Sequence, residues 1–215
     1  MPARKSDDSL RRAMLEAALA RAPSEGFTGR TLTDAAAEAG VGVGEITRLF
    51  PQGVPSLLEF YSHGVDAEME ARLGGMDLAA MPVRRRISTA VLTRLEVLEP
   101  RKEAARRAAA HLSLPQNVPL AARLVYDTAD CMWRAAGDRS TDFNFYTKRG
   151  ILAGVHAATL VRWFNDTSAD GRDTRAFLAA RIENVMQYEK LKAQLGREAT
   201  KGFDRLSEML RAARR

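Results

Sequence analysis

Several residue types are scarce in this chain of 215 residues. Cysteine occurs once, at Cys131. That excludes an internal disulfide and a cysteine-built zinc cage, and it fits a reducing compartment. Histidine occurs only at His63, His111 and His156, none with a glutamate three residues before it. The Glu-x-x-His pairs of carboxylate-bridged di-iron bundles are therefore missing. No HExxH, CxxC or G-x-S-x-G pattern occurs, and the alternating glycines at 40–44 lack the Gly-Lys-Ser/Thr of a nucleotide loop. No apolar run approaches the 18 or so residues of a membrane span. Sustained Val/Ile/Thr-rich alternation, the mark of strands, is also absent. The expectation is a protein without catalysis of its own and without metal or cofactor.

What is present is helical and basic. Apolar residues make up 46% of the chain and charged residues 28%, with net charge +6. The surplus is uneven: residues 1–50 carry seven basic and seven acidic groups, residues 84–107 eight and three, and residues 188–215 eight and four. Breakers at Pro23, Gly40–Gly44, Pro51, Gly74-Gly75, Pro82, Pro100, Pro115 and Gly171 divide the chain into nine to ten expected helices. Ser56 with Glu59 reads as a capping box. The expected fold is all-α, with an N-terminal lobe at 1–54, a helical body at 55–194 and a C-terminal helix at 195–215. The opening MPARKSDDSL has no apolar signal-like stretch, so a cytoplasmic chain of bacterial style is expected.

Residues 31–50, TLTDAAAEAGVGVGEITRLF, have helix-turn-helix spacing. They resemble the DNA-binding head of the TetR repressors, with Thr33, Ala36, Ala39-Gly40-Val41, Gly44, Ile46 and Phe50 in frame positions. The polar groups that grip phosphates in that family are replaced here by Gly42, Thr47, Leu49 and QGVP at 52–55. Only Arg48 remains on the second short helix. Phosphate contacts supply most DNA affinity, so a net-neutral head makes nucleic acid an unlikely partner.

The remaining helices carry apolar faces at 3–4 spacing. These read first as bundle core and second as the wall of an apolar pocket. The candidate lining is Leu95, Leu98, Leu112, Leu120, Leu124, Val125, Leu152 and Val155. His156 lies on such a face and reads as packed, and Cys131 as a small buried hydrophobe. GDRSTDFNFYTKRG at 137–150 poses a different problem. Helical residues step by 100°, so Phe143, Phe145 and Tyr146 cannot share one buried face.

Residues 137–186 closely resemble the accessory lipid-binding family of coenzyme Q (ubiquinone) biosynthesis. The likeness rests on Gly137-Asp138, Ser140–Asn144, Tyr146-Thr147, Arg149, Asp166-x-Ser168 and Phe177-Leu-x-x-Arg181-Ile. It implies a TetR-like homodimer that binds isoprenoid or quinone lipids and assists the di-iron demethoxyubiquinone hydroxylase. The implied partner patch holds Asp142, Phe145, Tyr146, Arg149, Met132 and Trp133. The family's usual tryptophan is Phe145 here, which keeps apolar area but loses an N–H donor. On this pattern Phe145 and Tyr146 face the partner and Phe143 packs. The stripe through Ile151, Leu152 and Val155, extended backward, instead puts Phe145 at the core edge.

Residues 197–215 form a basic amphipathic pattern with Phe203, Leu206, Met209 and Leu210 on or beside one stripe, suited to a membrane interface. The family also uses a terminal amphipathic helix for membrane contact, so peripheral association with the inner face of the cell membrane is expected. The competing expectation is a TetR-type repressor whose ligand controls DNA binding.

Overall fold

Ser6 opens the first helix, α1 (Asp7–Glu25), its hydroxyl accepting the Ser9 N–H. The computed structural model describes residues 6–138, 143–185 and 187. The expected stop at Pro23 is overridden. Buried Leu19 and Ala22 hold the last turn to the core, so α1 continues to Glu25, and Gly26, at φ 70°, ends it. A proline this close to a helix end forfeits only a bond to Leu19.

α2 (Gly29–Ala39) starts on Thr28, whose side chain accepts the Thr31 N–H at 3.1 Å, and ends at left-handed Gly40. α3 (Val43–Leu49) follows across the glycine turn, giving the expected helix-turn-helix. Its basic residue, Arg48, is paired to Asp7 and lies 3.5 Å from Glu45. α4 (Val54–Gly74) begins at Gly53, not at a Ser56–Glu59 capping box. Ser56 sits inside the first turn and accepts the Gln52 N–H at 3.0 Å, while Glu59 reaches Arg123 at 2.7 Å.

The body continues with α5 (Val83–Leu98), α6 (Lys102–Leu112), α7 (Val118–Ala135), α8 (Phe143–Phe164) and α9 over 172–185. No strand occurs among the described residues. Asp142 and the tail residues Phe203, Leu206, Met209 and Leu210 lie outside the described residues.

Three apolar clusters hold these helices. The first joins α1–α3 to the start of α4 through Met14, Ala18, Leu49, Phe50 and Leu57, with Ala104 and Ala108 of α6. The second gathers the far end of α4 with α5, α7, α8 and α9 around Met69, Val91, Met132, Leu152 and Leu178. The third packs Val65, Leu95, Leu98, Trp163 and Phe164. α7 and α8 lie side by side, tied near their linked ends: Asp130 of α7 meets Arg149 of α8, and the Trp133 indole donates to the Lys148 carbonyl at 3.1 Å.

Asp166 fastens the junction between α8 and α9. One carboxylate oxygen accepts the Ser168 N–H and hydroxyl, and the other accepts the N–H and hydroxyl of Thr174 in the first turn of α9. These bonds, Ser168 first, hold the Asp166 carboxyl well below the usual carboxylate range. Asp and Ser suit this position because their short side chains reach orphan helix-start donors. Replacing Asp166 by Ala is expected to speed hydrogen exchange at the amides of α9 selectively, with α4 and α7 unaffected. Uniform exchange across the chain would contradict this.

Candidate functional site

The middle of the bundle holds an open-mouthed cavity of about 240 Å³ between α4, α5, α6, α7 and α8. Most of its wall is apolar, and much of that wall is small: α6 contributes Ala105, Ala108 and Ala109. Of the expected lining, Leu98, Leu112, Leu124 and Val125 are in place. Four positions need correcting. Leu152 lies one turn before His156 and Val155 directly before it, and both pack into the second cluster with Met132 and Leu178. Leu95 lies a third of a turn from Arg94 and faces the neighbouring cleft, and half-buried Leu120 is not part of the lining.

One end of the cavity is polar. Asp66 of α4 and Arg94 of α5 form a buried ion pair, Nε to Oδ1 at 2.7 Å, with the two side chains 4% and 8% exposed. The Thr128 hydroxyl donates to both Asp66 oxygens, at 2.9 and 3.2 Å. Arg94 also donates to the Ser62 hydroxyl at 3.2 Å and lies 3.4 Å from the Nε2 atom of His156. A guanidinium only donates, so Nε2 accepts and the imidazole proton sits on Nδ1. That Nδ1 is buried with no partner among the described residues. Burial first, and Arg94 second, push His156 down to about 3, so it is neutral at ordinary pH. Tyr61, which lines the same wall more than one turn before Asp66 on α4, is pushed up to about 12 by burial and stays a phenol.

This cluster was not identified from sequence, although a signal exists. Arg94 occupies the buried stripe Ile87, Ala90, Val91, Leu95, Leu98, and Asp66 the stripe Leu58, Ser62, Val65, Met69. A charge on an apolar face must be paired inside.

A larger cleft of about 510 Å³ runs beside the 166–175 turn, with Leu95, Glu96, Glu99, Lys102 and Arg175 in its wall. The Trp163 indole donates to Glu99 at 2.8 Å, and Lys102 lies 4.8 Å above the Trp163 ring. Its wall mixes these charged groups with Thr167, Ser168 and Asp170, so it suits an apolar ligand less. No group of three His, Cys, Asp or Glu side chains suited to a metal occurs among the described residues. No helix among them is long and apolar enough to cross a membrane.

The expected partner patch is divided between surface and interior. Tyr146 is 66% exposed. Phe145 is half-buried, edge-on to Tyr146 with ring centroids 5.1 Å apart, so it lies at the core edge as the α8 stripe indicates. Arg149 and Met132 do not reach the surface. Arg149 is 2% exposed, ion-paired to Asp130 at 2.5 Å and to Asp138 at 3.1 Å, and its guanidinium lies 3.4 Å over the Phe145 ring. Met132 is completely buried because it faces the α4–α5–α8 core. Trp133 is half-buried, with Lys148 5.5 Å from its ring. Arg149 therefore holds Phe145 in place, and Phe145 supports Tyr146. Cys131 is half-buried rather than buried, and burial pushes its thiol up to about 11.

These placements have measurable consequences. Met132→Ala is expected to cost about 2–5 kcal/mol of stability, as other core truncations do. Tyr146→Ala should stay within about 0.5 kcal/mol, the range of exposed sites; denaturant titration separates them. His156 sets an acid limit. In the unfolded chain it binds a proton near 6.5, but in the fold only near 3. Its contribution is thus constant above pH 6.5. Below that, stability falls as pH drops, by at most about 1.4 kcal/mol per pH unit. His156→Gln should flatten this slope in a stability–pH series between pH 7.5 and 5.

Comparison with known proteins agrees with this architecture. Residues 118–189, which include α7, α8 and α9, match the COQ9 family model. The chain is 33% identical over 190 residues to the mitochondrial ubiquinone biosynthesis protein COQ9 of Rattus norvegicus, covering 85% of this chain and 60% of that protein. It is 31% identical over 188 residues to the Homo sapiens protein of the same name, covering 85% of this chain and 59% of the relative. The chain thus spans about 60% of the length of these relatives. A TetR transcriptional regulator of Nitrosomonas europaea shares the fold, with TM-score 0.64 at 20% identity over 81% of this chain and 96% of the regulator. On a TetR-like fold with the COQ9 pattern written through α7 and α8, the chain resembles the COQ9 proteins of ubiquinone biosynthesis.

Proposed function

We propose that this protein is a non-catalytic accessory of ubiquinone biosynthesis. It binds isoprenoid quinone precursors and presents them to the di-iron demethoxyubiquinone hydroxylase. The observation that carries this reading is the mostly apolar cavity at the centre of α4–α8, in a chain that resembles COQ9. An open-mouthed apolar volume, with no metal-binding cluster among the described residues, suits carriage rather than conversion. The protein acts as a homodimer at a membrane surface, and the tail residues Phe203, Leu206, Met209 and Leu210 enter the lipid interface. The hydroxylase docks on the start of α8, where exposed Tyr146 offers an aromatic with a polar tip.

Protein purified from cells without detergent is expected to carry extractable isoprenoid or quinone lipid, with two chains per particle in native mass spectrometry. Lipid-free protein would count against the carrier role. Tyr146→Ala should weaken hydroxylase capture in a pull-down about tenfold or more, as loss of a tyrosine hot spot does. Unchanged capture would remove Tyr146 from the docking surface.

A second reading, a ligand-controlled repressor, has the helix-turn-helix in its favour. Against it stands α3, whose one cation is committed to Asp7 and Glu45. Salt-sensitive, sequence-specific duplex binding in a gel shift would favour the repressor.

A further inference from the structure

The polar residues of the cavity wall are not scattered. On α7, Thr128 follows the apolar run Ala121, Leu124, Val125, and on α8, His156 precedes Ala157, Leu160, Val161. On α5, Arg94 precedes Leu98. α7 and α8 approach each other at their Ala135 and Phe143 ends, and on each helix the polar residue, Thr128 or His156, is the lining residue nearest that junction. The only exposed residues in the lining are Ser113 and Val161. Val161 lies five residues from His156, about 7.5 Å along the helix axis. The cavity is thus polar at its inner end and apolar toward its mouth.

The inner end has donors to spare. Arg94 carries five N–H bonds. Among the described residues they meet Asp66, Ser62 and, at the long limit, His156. The Ser62 hydroxyl accepts from Arg94, which leaves its own hydrogen unassigned. Next to Ser62 and toward the mouth, Tyr61 lines the same wall, and its hydroxyl makes no hydrogen bond among the described residues. Yet the wall carries no net charge, because Asp66 neutralises Arg94 and His156 is neutral. An anion entering here would lose its water without gaining an unpaired cation, which is costly. A neutral acceptor gives up far less.

We propose that Arg94, Tyr61 and Ser62 form a headgroup site for an uncharged hydrogen-bond acceptor, a ring carbonyl or ether oxygen, and that this site discriminates against anionic headgroups. The ligand enters head first, and its tail leaves past Val161 and Ser113. Size agrees with this orientation. A cavity of about 240 Å³ is larger than the ~150 Å³ cavity that takes up benzene. That accommodates a substituted ring, but not a ring with a long tail. The proposal rests on the lipid-carrier reading and specifies which end of the lipid the protein recognises.

Calorimetric titration of the full chain with three probes tests it: a decyl-substituted benzoquinone, decylbenzene and decanoate. The quinone should bind about tenfold more tightly than either of the others, the yield of one or two good hydrogen bonds. Tyr61→Phe should lower quinone affinity by about three- to tenfold while leaving decylbenzene unchanged. Arg94 alone cannot be removed without stranding Asp66. The double substitution Asp66→Leu/Arg94→Met removes the pair together and should erase the preference for quinone, with folding checked by circular dichroism. Equal binding of quinone and decylbenzene by the unaltered protein would overturn the headgroup site and leave the carrier reading standing, as would a preference that survives both variants. Tighter binding of decanoate would overturn it as well. If neither the quinone nor decylbenzene binds, the carrier reading falls, and the headgroup site with it.

Discussion

The Asp66–Arg94 pair is the interaction on which the body depends. Through Thr128 and His156 it links α4, α5, α7 and α8 at one level. Removing either partner alone would strand a charge at the centre of the bundle, at a cost of about 3–5 kcal/mol. Removing both, with apolar groups of similar volume in their place, is a different matter and can be neutral. The pair is thus weak as a source of net stability and strong as a constraint. It fixes which faces of four helices turn inward, and so where the cavity ends.

The same logic operates on the surface of α8. Arg149 is a charge with two carboxylate partners and an aromatic ring beneath it. It spends no area on a partner protein, but it fixes the orientation of Phe145, against which Tyr146 is set edge-on. An exposed aromatic on a held backbone loses little freedom when another surface covers it. The sequence motif around 137–150 is therefore divided between residues that make a surface and residues that hold it still.

Among the described residues, helical periodicity was enough to read the helices, their order and most of their limits. Where it failed, tertiary packing outweighed a local rule: at Pro23, where Leu19 and Ala22 were already buried, and at Ser56, which lies inside the helix it was expected to start. The cavity was only half legible. Leu98, Leu124 and Leu152 all lie on apolar faces, but a hydrophobic stripe does not say whether it meets another helix or a void, and Leu152 meets a helix. Arg94 and Asp66 carried the better signal, since a charge on a buried stripe demands a partner. Arg149 showed the limit of motif reading, because a residue-by-residue likeness gives position and not exposure.

The alanines of α6 carry one last consequence. Ala105, Ala108 and Ala109 face the cavity with a single methyl each. Side chains this small leave space on the α6 side of the cavity that larger ones would fill. Its bore is therefore adjustable one residue at a time, from a helix that takes no part in the polar end. On the proposed carrier reading, ligand size and headgroup choice are set by separate elements of the same bundle, and either can drift through mutation without disturbing the other.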